Sequence, residues 1–161
     1  MATVQSYRRE QAAAYAAQWA LSRNPRYFSF NGIGGDCTNF VSQCIYAGCG
    51  VMNYTRDTGW YYNSPSDRAA AWSGVSYLYR FLITNTKAGP FASETDAAQL
   101  QIGDVVQLGH ANGHWYHSLL VTGFRADGLL VSTHSFDAYQ RPLSSYLFEQ
   151  ARFLHIEGFR H

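Results

Sequence analysis

The strongest constraint on the fold is a change of hydrophobic periodicity along the chain, from the three-and-four spacing of helices to the alternation of strands. The run from Arg9 to Ala20 is rich in strong helix formers and places Ala12, Tyr15, Ala16, Trp19 and Ala20 on one face. It predicts a helix from about Tyr7 to Leu21, stopped by Asn24-Pro25. A second helix is expected from Asp36 or Cys37 to Ala47, with Gly48 as its left-handed stop, and a third near Gly74 to Thr84. Between them, Asn53 to Ala70 reads as a long ordered loop presenting Trp60-Tyr61-Tyr62 to solvent. After Gly89-Pro90 the character changes: 104–108, 117–124, 129–134 and 153–159 read as strands. Helices first and strands later imply an α+β fold, with N-terminal helices packed on an antiparallel β-sheet.

At 161 residues and 47% hydrophobic, the chain is expected to form one domain over 1–161 and to act as a monomer. A formal net charge of +1 gives no broad field for a polyanion, which argues against nucleic acid as a partner. No run approaches the roughly 20 apolar residues of a transmembrane helix, and the N-terminus lacks the apolar block of a secretory signal. If the protein acts outside the cytoplasm, secreted or associated with a cell wall, it is expected to be an excised domain, a processed form or a delivered effector or lysin.

The three cysteines, Cys37, Cys44 and Cys49, are odd in number and lie in one segment, unlike a disulfide framework. Their Cys-x6-Cys-x4-Cys spacing lacks a zinc knuckle, so no metal and no cofactor is expected. In Gly34-Gly35-Asp36-Cys37-Thr38-Asn39-Phe40, a flexible turn delivers Cys37 to the first turn of a helix. There the free N–H groups and the helix dipole favour a thiolate, and the same N–H groups can hold a developing oxyanion. Asp36 is placed to cap the helix by accepting from the N–H of Thr38 or Asn39. Cys44 lies among Phe40, Val41 and Ile45 and reads as core, as does Cys49.

Of the six histidines, His117 stands at the start of a strand beside a loop, where an imidazole can face a cleft and act as base. His110 and His114 lie in the loop itself, and His155 and His161 near the C-terminus. For a third group that orients His117, the candidates are His134 and Asp137. If Arg125 to Gly128 is a four-residue loop, Phe124 pairs with Leu129 and His134 faces Leu119, about 7 Å diagonally from His117. Asp137 then faces away; a bulge near Ser135 would reverse the choice.

These residues resemble a known family. Tyr15-Ala16-x-x-Trp19, Asn24-Pro25-x-Tyr27, Gly34-Gly35-Asp36-Cys37-Thr38-Asn39-Phe40-Val41-Ser42-Gln43-Cys44, Ala47-Gly48, Gly103-Asp104-Val105-Val106, Trp115-Tyr116-His117-Ser118, Thr133-His134-x-x-Asp137 and Arg141-Pro142-Leu143 closely resemble the bacterial putative amidase domain with its Gly-Gly-Asp-Cys-Thr-Asn-Phe-Val-Ser-Gln signature. That family looks like a relative of the NlpC-type and CHAP peptidases, which implies a papain-like core and action on peptidoglycan peptide or amide bonds. The resemblance implies Cys37 as nucleophile, His117 as base and His134 as third member of a Cys-His-His triad. Asn31, six residues before Cys37, stands at the offset where papain-like enzymes place a second oxyanion donor; Tyr27 is the other candidate.

The reaction expected is cysteine-dependent hydrolysis of an amide, with Trp60, Trp115 and Tyr116 stacking on sugars or peptide side chains of the substrate. Two other readings use the same residues differently. One is a protein glutamine deamidase or acyltransferase toxin with the same Cys-His chemistry. The other is a module that binds cell wall without cutting it.

Overall fold

A computed structural model describes residues 3–161; Met1 and Ala2, the start of the N-terminus read above as signal-free, lie outside the described residues. In chain order the elements are β1 (Val4–Gln5), α1 (Arg9–Trp19), α2 (Cys37–Cys49), β2 (Tyr62–Ser64), β3 (Asp67–Arg68), α3 (Ala70–Ser73), α4 (Val75–Thr84), β4 (Gly89–Thr95), β5 (Val105–Gly109), β6 (Trp115–Arg125), β7 (Gly128–Thr133), β8 (Ala138–Pro142) and β9 (Gln150–Arg160). The architecture is α+β, with the helices packed on a curled antiparallel sheet. β6 lies between β5 and β7, β8 closes one side beyond β7, and β9 pairs with β5, β4 and β1. Among the described residues, no helix is long and apolar enough to cross a membrane.

The two faces of the sheet carry different cores. On one, Leu120, Val105, Leu154 and Ile156 meet Ala12 and Ala16 of α1 and Phe40, Val41, Cys44 and Ile45 of α2. On the other, Val106, Leu108, Leu119, Val121 and Val131 lie under Leu143 and Tyr146 of the segment after β8. Side chains alternate along β6, so Ser118 and Leu120 face the helices while His117 and Leu119 face the second core. α2 is buried almost all round, as the apolar run on it predicts.

Two local expectations are corrected. α2 does not stop at Gly48 but runs to Cys49, with Gly50 as the left-handed cap (φ 68°). Gly48 is glycine because of contact, not conformation: a Cβ there would lie 2.4 Å from Cε1 of Tyr7 and 3.0 Å from the Arg8 carbonyl oxygen. The 53–70 segment buries Trp60 and Tyr62, leaving Tyr61 half-buried and Tyr54 exposed. It forms the β2–β3 hairpin and sends Trp60 and Tyr62 inward, where the Trp60 ring lies 4.8 Å from that of Trp72 and 5.9 Å from that of Phe81. Three strands that the pattern left unassigned, β1, β4 and β8, complete the sheet.

Gly48→Ala therefore tests the contact against helix propensity. Propensity alone favours alanine by about 1 kcal/mol, whereas overpacking against Tyr7 is expected to cost about 1–3 kcal/mol. Urea unfolding should show a net loss; a gain in stability would contradict the close approach.

Candidate active site

The turn that carries Cys37 is built around one buried carboxylate. Phe30 to Asp36 folds back on itself, with the N–H groups of Ile33 and Gly35 donating to the Phe30 carbonyl, at 2.8 and 3.2 Å. Gly35 holds φ 101°, a conformation that L side chains rarely adopt. Asp36, fully buried, does not cap α2 through its side chain as expected. Instead Oδ1 accepts from the Phe30 N–H and from Asn39 Nδ2, both at 2.8 Å, and Oδ2 lies 2.6 Å from Nδ1 of His134. Burial alone would raise the Asp36 carboxyl, but the bonds from His134, Asn39 and Phe30 outweigh it and hold the group below the usual carboxylate range.

His134 is engaged at both nitrogens. Nε2 lies 2.8 Å from the Trp19 carbonyl oxygen, which can only accept, so Nε2 carries a hydrogen. The ring stacks on Phe40 of α2 at 4.2 Å between centroids. It thus faces the helices, whereas His117 faces the second core. The expected β6–β7 register holds at its start, with Phe124 opposite Leu129. It then slips by one residue, because Val121 pairs with Val131 while Gly123 pairs with Leu130, leaving Thr122 as a bulge. A slip of one residue turns every later side chain over, and by extension of the ladder His134 falls opposite Ser118 rather than Leu119. The bulge is satisfied locally: Gln140 Nε2 donates to the Thr122 carbonyl at 3.0 Å, and the Thr122 and Ser132 hydroxyls bond at 2.8 Å. Asp137 is engaged elsewhere, in a two-point pair with Arg23 at 2.8 and 3.0 Å.

Cys37 and His117 converge from opposite faces of the sheet on one peptide. Beyond the last β6–β7 pair, the Ser118 carbonyl accepts from the Thr133 hydroxyl at 2.8 Å and the Ser118 N–H is turned to the Cys37 thiol. The Thr38 hydroxyl, 3.8 Å from Cys37 Sγ, also bonds to Ser118 Oγ at 2.8 Å, tying the first turn of α2 to β6. His117 immediately precedes this peptide. A second bulge, at Tyr116 between the Leu108–His117 and Gly109–Trp115 pairs, lets Tyr116 and His117 both line one cleft. Ser135 joins the two halves: its Oγ accepts from the Asp36 N–H at 2.8 Å, and it lines the cleft with His117. Among the described residues, neither His117 nitrogen has a hydrogen-bond partner, and no hydrogen bond joins the imidazole to Cys37 Sγ.

Electrostatics leave both groups neutral at rest. Burial pushes the Cys37 thiol up, against the lowering effect of the Ser118 and Thr38 donors, so the thiolate expected from the helix dipole is not the resting form. Burial first, and then the Arg141 cation, bring the His117 imidazole down to about 4.

The other expected site residues are placed as follows. Trp60 is not a substrate platform: it is fully buried, with Nε1–H donating to Ser42 Oγ at 3.0 Å. Trp115 lies under the Arg152 guanidinium at 4.1 Å, outside the cleft residues, while Tyr116 lines the cleft. Asn31 is exposed, and its backbone N–H donates to Ser29 Oγ at 3.3 Å. Tyr27 is committed to Tyr62 and Trp72, at ring distances of 5.1 and 5.9 Å. His155, near the C-terminus, bonds Asp104 through Nδ1 at 2.8 Å. Arg141 and Tyr146, which the sequence reading passed over, line the cleft beside His117. Arg141 stood within the motif Arg141-Pro142-Leu143, and that was its only signal.

The family model of the putative amidase domain matches residues 6–156. The chain belongs to this putative amidase domain family. A protein of Bacillus subtilis (strain 168) called uncharacterized protein YhbB is 31% identical over 140 residues, which cover 84% of this chain. The alignment spans 43% of that relative, so the matched part of this chain corresponds to less than half of its length. No solved structure matches. Membership of an amidase family points to amide hydrolysis as the general chemistry of this site.

Two expectations follow from the buried groups. Asp36→Ala and His134→Ala each strand a buried polar partner and should cost about 3–5 kcal/mol in urea unfolding; a loss under about 1 kcal/mol would contradict the arrangement. For pH, the folded His117 is held to about 4, below the ordinary 6.5, so the unfolded chain takes the proton first and stability falls as pH drops through that window. Asp36, also depressed, loses its contribution as pH falls below the ordinary carboxylate range. His117→Phe should flatten the upper part of this slope, measured as unfolding midpoint against pH.

Proposed function

We propose that the chain is a cysteine-dependent amide hydrolase, one papain-like domain over 1–161 related to the NlpC-type and CHAP peptidases, with Cys37 as nucleophile and His117 as base. The observation that carries the reading is the meeting at Ser118. A thiol at the N-terminus of a buried helix rests against this peptide N–H, and the preceding residue offers a buried imidazole with both nitrogens free. Hydrogen bonds between nucleophile and base are often long before substrate binds, so the missing Cys37–His117 bond is compatible with this pairing.

In the first step His117 takes the thiol proton as Sγ attacks the amide carbonyl. The Cys37 N–H, with the side chain of Asn31 as second donor, holds the oxyanion. The intermediate then collapses to a thioester as His117 returns the proton to the leaving amine. Water, deprotonated by His117, cleaves the thioester and releases the acid, restoring thiol and neutral imidazole. Because both groups rest neutral, the proton moves during attack and no ion pair is formed beforehand. His134 acts with Asp36 in holding the Cys37 turn, so the working pair is a dyad. The resemblance to wall-cutting peptidases supports peptidoglycan peptide or amide bonds as substrate and a site of action outside the cytoplasm.

Cys37→Ala should abolish release of amines from purified peptidoglycan with the melting temperature within a few degrees of wild type, and His117→Ala should reduce it by about 10²–10⁴-fold. Full turnover by Cys37→Ala would reject the nucleophile. Iodoacetamide should label Cys37 at a rate that keeps rising with pH through the ordinary thiol range. A rate constant from about pH 5 to 8 would instead reveal a preformed thiolate.

A further inference from the structure

The cleft beside His117 contains a cation without a counter-ion. It measures about 300 Å³, near the lower end of small-ligand sites and enough for one residue-sized group. No carboxylate lines it, and among the described residues Arg141 forms no salt bridge. The guanidinium is nevertheless held in place. Nε donates to Ser145 Oγ at 2.7 Å, Nη2 donates to the Ser145 carbonyl at 3.0 Å, and the plane lies 3.8 Å from the centre of the Tyr146 ring. Nη1 is left without a partner. Tyr146 lines the same cleft, and its hydroxyl is buried with the Arg141 guanidinium as its neighbouring donor and no hydrogen bond of normal geometry. A poorly made buried bond of this kind is unfavourable, and a ligand in the cleft can offset it.

Building on the hydrolase reading, we infer that Arg141 is a specificity-determining residue that selects substrates carrying a carboxylate beside the scissile amide. A fixed guanidinium with free N–H groups matches a carboxylate in geometry as well as in charge. The same contact couples recognition to chemistry. Arg141 adds to the effect of burial in keeping a proton off His117. A carboxylate seated on Arg141 cancels that field, so the base strengthens as the right substrate binds, while a neutral substrate leaves it weak. Phe136 and Leu147, 93% and 96% exposed, stand at the rim of the cleft, where an extended peptide would pass.

The test uses the whole protein on purified peptidoglycan and on the same material with its carboxyl groups converted to carboxamides. Wild type should release amines at least about tenfold faster from the carboxylate form. Arg141→Gln should lose this preference and, with the cation beside His117 removed, cut the amidated form at least as fast as wild type, with Arg141→Lys retaining part of the preference. Equal wild-type rates on both forms, or an unchanged preference in Arg141→Gln, would overturn the inference and leave the hydrolase reading standing. If neither form is cut, the hydrolase reading fails, and co-sedimentation of Cys37→Ala protein with the two forms decides this one. Carboxylate-dependent binding that Arg141→Gln removes sustains it, and equal binding overturns it. Arg141→Gln should also move the His117 imidazole titration upward by NMR, which loss of a purely structural contact with Ser145 would not do.

Discussion

Everything at this site depends on the carboxylate of Asp36 being buried and fully bonded. It joins the start of the turn at Phe30, the first turn of α2 at Asn39, and the end of β7 at His134, and His134 passes the connection on to the last turn of α1 through the Trp19 carbonyl. The local turn and the start of α2 are thereby locked to β7 and α1, which are distant in sequence from one another, at the residue before Cys37. A buried charge is tolerated only where each lone pair has a donor, so the pair imposes a unique arrangement on the glycine-rich turn, which would otherwise sample many. The position of Cys37, the proposed nucleophile, is inherited from that lock.

The sheet supplies the second half of the site by a different device. Two bulges on β6, at Tyr116 and Thr122, break its alternation just before His117 and five residues beyond it. The first lets neighbouring side chains share one cleft. The second directs His134 to the helices and leaves His117 on the other face, separating the residue that holds the turn from the residue that is free to take a proton. A bonded histidine and an unbonded one, both buried, so have opposite tasks.

Much of this was legible in the sequence. The helical spacing in α1, the wide apolar face of α2 and the alternation in β5, β6 and β7 follow from local pattern, and the placement of Cys37 at a helix start needed only the Gly34-Gly35-Asp36 turn. The misses share a physical cause, which is that they are decided by tertiary contact. Gly48 reads as a stop until Tyr7 is found packed on it. Trp60 reads as exposed because its polar neighbours hide the inward turn of the β2–β3 hairpin. The face of His134 depends on the bulge at Thr122, for which the isolated Gly123 within a strand pattern was the available signal. Arg141 and Tyr146 lie on an edge strand and the turn after it, where periodicity is short and says little.

The most direct measurement of the central claim is peptide mapping by mass spectrometry of protein quenched in acid while turning over peptidoglycan fragments. The account predicts a thioester-linked acyl group on the peptide that contains Cys37. An acyl group on Cys44 or Cys49, or turnover with no cysteine acylated, would contradict it.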